Sequence, residues 1–207
     1  KTVEMLNTRL EEEGLRVKIL PGADVHVDPE LTELIETGEV LTVNDSRHYV
    51  MLELPEYFAI DHIKQLFFAL QVRGIVPIIS HPERNGRIQQ EKNLLQELVQ
   101  GGALSQVTAM SLTGDFGSKI QAAVESLLEL NLVHIIASDA HSRDKRPPIL
   151  SRALKRAAEI VGEEEALKMV TLIPQRVLAG EAFEPSPPRN PPERRKGFQR
   201  LRQVFGF

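Results

Sequence analysis

The sequence of 207 residues contains no cysteine, and it lacks both a long apolar run and an excess of positive charge. Without cysteine, a disulfide framework, a thiolate metal site and a cysteine nucleophile are all excluded. No apolar run reaches the length of a membrane span, and no secretory signal pattern is visible. The net charge of −4 gives no global positive field, so a nucleic-acid partner is not indicated. We therefore expect a cytoplasmic protein.

The composition that remains is 42% hydrophobic and 26% charged, which is typical of a globular protein. We predict one folded domain over residues 1–183, followed by a proline-rich, basic tail over residues 184–207. Five prolines between residues 185 and 192 predict a disordered linker. The apolar residues after position 197 are spaced as in a short helix that could dock on an anionic membrane or on a partner. We favour a solvated tail, because the segment is short.

Short apolar runs alternate with helical patterns along the chain. The predicted strands are Arg16–Leu20, Tyr49–Leu54, Ile75–Ser80, Leu104–Ala109 and Leu132–Ala137. Strands that read as continuous apolar runs between helices are typical of a parallel sheet buried on both faces. The pattern predicts an α/β fold and leaves open whether the sheet is doubly wound or closed into a barrel.

Polar side chains gather where the predicted strands end. In parallel α/β folds the carboxyl ends of the strands meet on one face, so distant residues can share a site there. We predict such a site from Asp24, Glu53, His81, Asp139 and His141. Each residue alone is better explained by a turn, a cap or an exposed position. Together, two imidazoles and three carboxylates suit two or more divalent ions, and Mn, Fe, Zn and Mg all accept such ligands.

Two arginines accompany these candidates. Arg84 follows His81 by three residues, and Arg146 follows His141 by five. A guanidinium beside a metal site suits phosphate, which accepts two parallel hydrogen bonds from it. The alternative is a solvated arginine or an ion pair, such as Arg84 with Glu83.

The remaining histidines are weaker candidates. They are His26, His48, His62 and His134. His26 is near Asp24 and could support that ligand without binding the metal itself. His62 falls on the polar side of a predicted helix. His134 lies inside the last predicted strand, where a core position is the simplest interpretation.

Several segments resemble the bacterial capsule- and exopolysaccharide-type protein tyrosine phosphatases of the polymerase-and-histidinol-phosphatase (PHP) superfamily. Ser80-His81-Pro82-Glu83-Arg84 resembles the family's A-H-P-E-R, and residues 137–148 resemble its S-D-x-H…R-P-P segment. Residues 41–53 resemble its L-N-D-S-x-Y…E stretch, and residues 21–24 its P-G-x-E turn. The resemblance is collinear over residues 1–183.

This resemblance implies a distorted (β/α)7 barrel with a multinuclear site that usually holds Mn²⁺. It implies hydrolysis of phosphotyrosine on a bacterial tyrosine kinase that controls capsule or exopolysaccharide synthesis. Glu53, His81, Asp139 and His141 would be metal ligands, and Arg84 and Arg146 would bind the phosphate. Asp24 stands where the family has a bridging Glu, and its shorter side chain weakens that ligand or requires a closer backbone.

The family's H-x-H on its first strand, and a further ligand His after the second, have no counterpart in this chain. With Lys1 opening directly into a helical pattern, we expect a chain truncated before its first strands, or a processed protein. Two other functions remain open: hydrolysis of a small phosphate ester such as histidinol phosphate, and a non-catalytic module that binds a partner. Self-association is compatible with any of them.

Overall fold

Five parallel strands form one sheet in the computed structural model, which describes residues 2–189. The strands are β1 (Asp24–His26), β2 (Tyr49–Glu53), β3 (Val76–Ser80), β4 (Leu104–Thr108) and β5 (Ile135–Ala137). The helices are α1 (Thr2–Glu12), α2 (Leu31–Thr37), α3 (Ile60–Val72), α4 (Gly86–Gln90), α5 (Lys92–Gln100), α6 (Ala109–Leu112), α7 (Ser118–Glu129), α8 (Ser151–Val161), α9 (Glu163–Val170) and α10 (Leu172–Ala179). The predicted α/β fold with a parallel sheet is confirmed.

The order of the strands in the sheet follows the order in the chain, β1-β2-β3-β4-β5. A doubly wound sheet reverses its strand order at a switch point. Residues 2–189 contain no such reversal, so this part of the chain is wound in one direction only.

The two faces of the sheet are covered unequally. On one face, strand residues such as Leu52, Ile79 and Val107 join a large core with the apolar sides of the helices. That core includes Phe67 of α3 and buried residues of α5, α7 and α8. The other face carries a small cluster, in which strand residues such as Ile78 meet Val177 of α10.

The prediction of a strand at Arg16–Leu20 is wrong. The side chain of Asn7 in α1 binds the backbone of Ile19 at both its N–H (2.7 Å) and its carbonyl (2.8 Å). These hydrogen bonds satisfy the segment locally, and the first strand forms further on, at β1. Asp24 therefore lies within a strand and not after one.

The described part of the predicted tail runs to Arg189 without helix or strand. It lies against the end of α7, where the Asn131 amide donates to the carbonyls of Ser186 and Pro187, each at 2.9 Å. The Arg189 N–H also donates to the carbonyl of Leu130 at 2.8 Å. The predictions for residues 190–207, including the basic apolar segment, lie outside the described residues. No helix of the described chain is long and apolar enough to cross a membrane.

His134 precedes β5 and is a core residue, as its apolar context predicts, with only 4% of its surface exposed. Its Nδ1 accepts the backbone N–H of Ser105 at 3.0 Å, so the proton of the neutral ring resides on Nε2. Burial lowers the pKa of His134 to about 4. The folded protein thus keeps this imidazole neutral well below the pH at which the unfolded chain would protonate it.

We expect His134 to make folding sensitive to acid. As the pH falls from about 6.5 to about 4, the unfolded state binds a proton that the folded state does not, and the free energy of unfolding falls by up to about 3 kcal/mol. Urea unfolding between pH 7.5 and 4.5 measures this effect. His134→Asn keeps a hydrogen-bond acceptor but cannot titrate, so its stability should depend less on pH. An identical pH slope in the two proteins would contradict the assignment.

Candidate metal centre and arginine pair

Three of the predicted ligands converge at the sheet: Asp24 begins β1, Glu53 ends β2, and His81 directly follows β3. Register places Asp24 beside Met51, two residues before Glu53 on β2. The Nε2 atom of His81 lies 3.9 Å from Asp24 Oδ2 and 3.7 Å from Glu53 Oε1. The sheet therefore brings together one imidazole and two carboxylates that are distant in sequence.

The backbone of His81 is left-handed, with a φ of 35°, and its N–H donates to the carbonyl of Gln106 on β4 at 2.8 Å. This turn directs the chain into the short 3-10 helix Pro82–Arg84. The imidazole is 16% exposed. Burial first, and the charge of Arg84 second, lower the pKa of His81, which favours the neutral ring that metals bind.

Asp24 is held by a neighbour on β3. Ser80 Oγ donates to Asp24 Oδ1 at 2.9 Å, which leaves Oδ2 on the side of His81. Burial raises the pKa of Asp24, although the Ser80 hydrogen bond opposes this shift. A nearby cation would favour the charged carboxylate in the same position.

Asp139, at the end of β5, faces a different set of partners. Its Oδ2 atom accepts hydrogen bonds from Arg84 Nη2 at 2.8 Å, from Arg146 Nη2, and from Thr108 Oγ1 at 3.3 Å. Its Oδ1 atom lies 3.6 Å from His141 Nδ1. Asp139 thus binds directly to the two arginines that are predicted to bind phosphate. Its negative charge also contributes to raising the pKa of Asp24 and opposes the lowering of the pKa of His81.

His141 is more open than His81, with 58% of its side chain exposed. Its Nδ1 lies 2.8 Å from the backbone carbonyl of Asp139, which can only accept a hydrogen bond. In the neutral ring, Nδ1 therefore carries the proton and Nε2 keeps its lone pair. This is the tautomer that a histidine needs in order to bind a metal through Nε2.

The donor chemistry of Asp24, Glu53 and His81 fits a hard or borderline divalent cation. Within residues 2–189, however, no three His, Asp or Glu side chains are already arranged as a complete cation site. The side chains of this group point at one another from 3.7 to 3.9 Å, and Asp139 is engaged by the arginines. The residue types therefore suit a divalent metal ion, and these three side chains would provide part of its ligand shell.

Glu83 has a role that the sequence did not reveal. Sequence reasoning offered it as an ion-pair partner of Arg84, but Arg84 turns to Asp139 and Glu83 is fully buried. Glu83 Oε1 accepts the backbone N–H of Thr108 at 3.0 Å, which ties the loop after β3 to the end of β4. Burial raises the pKa of the Glu83 carboxyl.

Other polar residues also join the site. Thr108 could have been found by the same strand-end argument that found His81, since it ends β4. His26 lies opposite Glu53 in the sheet register, with Nδ1 3.8 Å from Glu53 Oε2, and is 83% exposed. His48 instead bonds the carbonyl of Ser46, and His62 is exposed on α3.

A cleft of about 300 Å³ opens at these strand ends. Glu53, His81 and Arg84 line the same cleft, so the carboxylate–imidazole group and one guanidinium share it. A volume of this size suits a small anionic group with its substituent extending outward.

Residues 1–179 match the sequence profile of the family described as capsular polysaccharide synthesis, CpsB/CapC. The chain belongs to the CpsB/CapC family. The resemblance noted in the sequence is thereby confirmed.

Members of the CpsB/CapC family from three bacteria align with this chain. The tyrosine-protein phosphatase YwqE of Bacillus subtilis is 35% identical over 207 residues, which cover all of this chain and 78% of YwqE. CapC of Staphylococcus aureus is 42% identical over 146 residues, covering 70% of this chain and 56% of CapC. The tyrosine-protein phosphatase CpsB of Streptococcus pneumoniae is 28% identical over 162 residues, covering 76% of this chain and 66% of CpsB.

The fold is shared as well. A chain from the crystal structures of YwqE and CpsB, described as unique metal-dependent tyrosine phosphatases, superposes with a TM-score of 0.86 at 34% identity. The match covers 92% of this chain and 76% of that one.

Replacing the buried Glu83 tests its link between the two loops. In Glu83→Ala the N–H of Thr108 loses its acceptor in the interior, so we expect the free energy of unfolding to fall by about 2 kcal/mol. Glu83→Gln keeps an acceptor oxygen and should lose less. Denaturant unfolding of both variants is compared with Glu129→Ala, an exposed position on α7. Equal stability of Glu83→Ala and the parent protein would show that the link contributes nothing.

Proposed function

We propose that this chain is the catalytic part of a metal-dependent protein tyrosine phosphatase, a phosphomonoesterase of capsule or exopolysaccharide synthesis. Its substrate would be the phosphotyrosine of a tyrosine kinase that controls this synthesis in the cytoplasm. The observation that carries the proposal is the arginine pair on Asp139, which adjoins the group of Asp24, Glu53 and His81. The tyrosine phosphatases YwqE and CpsB, which are relatives in the same family, support it.

The proposed metal ligands are Asp24, Glu53, His81, Asp139 and His141. Mn²⁺ is the proposed ion, and Fe, Zn and Mg suit the same donors. A bound divalent cation supplies Lewis acidity towards the phosphoryl oxygens and makes water a stronger nucleophile near neutral pH.

The chain's own groups then act on the phosphoryl group. Arg84 and Arg146 bind its equatorial oxygens and stabilise the charge that increases as water attacks phosphorus. The bond from phosphorus to the tyrosine oxygen breaks, and the products are inorganic phosphate and tyrosine. Direct attack by water needs no covalent phosphoenzyme, which agrees with a chain that has no cysteine.

We further propose that residues 1–183 form the phosphatase domain and that its sheet is part of a distorted barrel of the PHP type. One observation supports the barrel: the strand order has no reversal. Among residues 2–189, β1 and β5 each have a strand neighbour on one side only, so closing the proposed barrel requires further strands between them. Residues 184–207 would then form a tail to this domain, and the described part of the tail lies against the end of α7.

Loss of His81 should abolish metal-dependent turnover. We expect His81→Ala to lower kcat/KM for a phosphotyrosine peptide by at least about a thousandfold in the full-length protein with Mn²⁺. The reason is that the substitution removes a proposed metal ligand beside the arginine pair. His62→Ala, exposed on α3, should behave like the parent protein. Histidinol phosphate, assayed in parallel, should be a poorer substrate. Activity that survives both chelation and His81→Ala would refute the metal mechanism.

The shape of the guanidinium should matter beyond its charge. Arg84→Lys and Arg146→Lys keep a cation but lose paired hydrogen bonding, so we expect kcat/KM to fall about a hundredfold in each. Arg73→Lys is the matched control, since Arg73 pairs with Glu36 away from the cleft. If the lysine variants turn over substrate at the parent rate, the arginines do not bind the phosphoryl group.

A further inference from the structure

The ring of Phe116 lies against both arginines of the site. The guanidinium carbon of Arg84 is 5.9 Å from the ring centre, and that of Arg146 is 5.6 Å from it. Both distances are within the range in which a cation is attracted to the face of an aromatic ring. One half-buried side chain thus contacts the two groups that come from different loops.

The two arginines repel each other, because both positive charges lie at the same carboxylate oxygen of Asp139. A further group that attracts both guanidiniums would offset this repulsion. A second carboxylate would relieve the repulsion, but it would also cancel the positive charge that an anion requires. An aromatic face attracts both cations without adding a formal charge. With Phe116, two guanidiniums and one carboxylate keep a net charge of about +1.

Backbone hydrogen bonds hold the turn that carries Phe116. Gly114 and Gly117 have φ values of 82° and 96°, which side chains rarely adopt, and the Gly117 N–H closes a turn on the Gly114 carbonyl at 2.9 Å. The Asp115 N–H also bonds the carbonyl of Met110 at 3.1 Å. Phe116 therefore comes from the turn between α6 and α7, a segment separate from the two loops that carry the arginines.

Both guanidiniums have N–H donors that no acceptor in the described part of the chain uses. The Nε atoms of Arg84 and Arg146 are buried and have no hydrogen-bond partner in the described part of the chain. Each guanidinium carries five N–H donors, and its side-chain hydrogen bond to Asp139 uses only one of its nitrogens. Both side chains remain partly exposed, so the Nη donors that Asp139 does not use are suited to the several oxygens of a phosphoryl group.

We propose that Phe116 is a positioning residue that holds Arg84 and Arg146 together as one phosphate-binding unit. The inference rests on the proposed phosphatase function and adds a residue that acts through the arginines. Phe116 supports binding of the phosphoryl group in substrate and product alike, so its loss weakens affinity more than it slows the chemical step.

The test separates the charge distribution of the ring from its shape. In the full-length protein with Mn²⁺, Phe116 is replaced by pentafluorophenylalanine, which has nearly the same shape but reverses the polarity of the ring face. We expect KM for phenyl phosphate and the inhibition constant of inorganic phosphate to rise together by about tenfold, with kcat within about threefold of the parent. Phe116→Tyr keeps an electron-rich ring and should retain the parent constants.

The matched control is Phe58, whose ring lies 4.8 Å from the guanidinium carbon of Arg87. Pentafluorophenylalanine at position 58 should leave the inhibition constant unchanged. An unchanged inhibition constant at position 116, or a Phe116→Tyr protein as weak as the fluorinated one, would overturn the inference while the parent still hydrolyses phenyl phosphate. A parent protein that neither binds phosphate nor hydrolyses the ester would instead overturn the proposed function.

Discussion

The shared carboxylate of Asp139 is the interaction on which the rest of the site depends. One oxygen accepts hydrogen bonds from Arg84 after β3, from Arg146 after β5 and from Thr108 at the end of β4. Because all three segments leave the same edge of a parallel sheet, strand spacing brings their starting points together, and the segments after β3 and β5 then carry the arginines to Asp139. The arginine pair therefore depends on the register of the strands.

Strand β4 shows how that register is secured. Near its start the N–H of Ser105 binds His134 Nδ1, and at its end the N–H of Thr108 binds Glu83 Oε1. Both acceptors are buried side chains from neighbouring segments. Shifting β4 by one residue would separate both pairs and leave polar groups unsatisfied in the interior, which is costly. Two polar residues in the core thus specify how the loops of the site are aligned.

Sequence patterns predicted the parallel α/β fold and the convergence of Glu53 and His81, because apolar runs and strand ends have a geometry that is independent of the loops. Asp24 also converges on this group, but it does so from within β1 and not from the end of the strand that was predicted before it. The pattern failed at Arg16–Leu20, where the side chain of Asn7 satisfies the backbone in place of a sheet neighbour. It also gave no sign of Phe116. Its role depends on a turn between α6 and α7 that brings the ring to two arginines distant in sequence.

The left-handed backbone at His81 and Asp139 has a consequence for how the protein can change. Their φ values of 35° and 49° cost each residue about 1–3 kcal/mol, and glycine would adopt them freely. Glycine would relieve this strain at either position, but it would also remove a side chain of the proposed site, and at position 139 it would leave two guanidiniums without their carboxylate. Backbone strain and the proposed chemistry therefore compete at single residues, and selection for heat resistance alone would not preserve the proposed site.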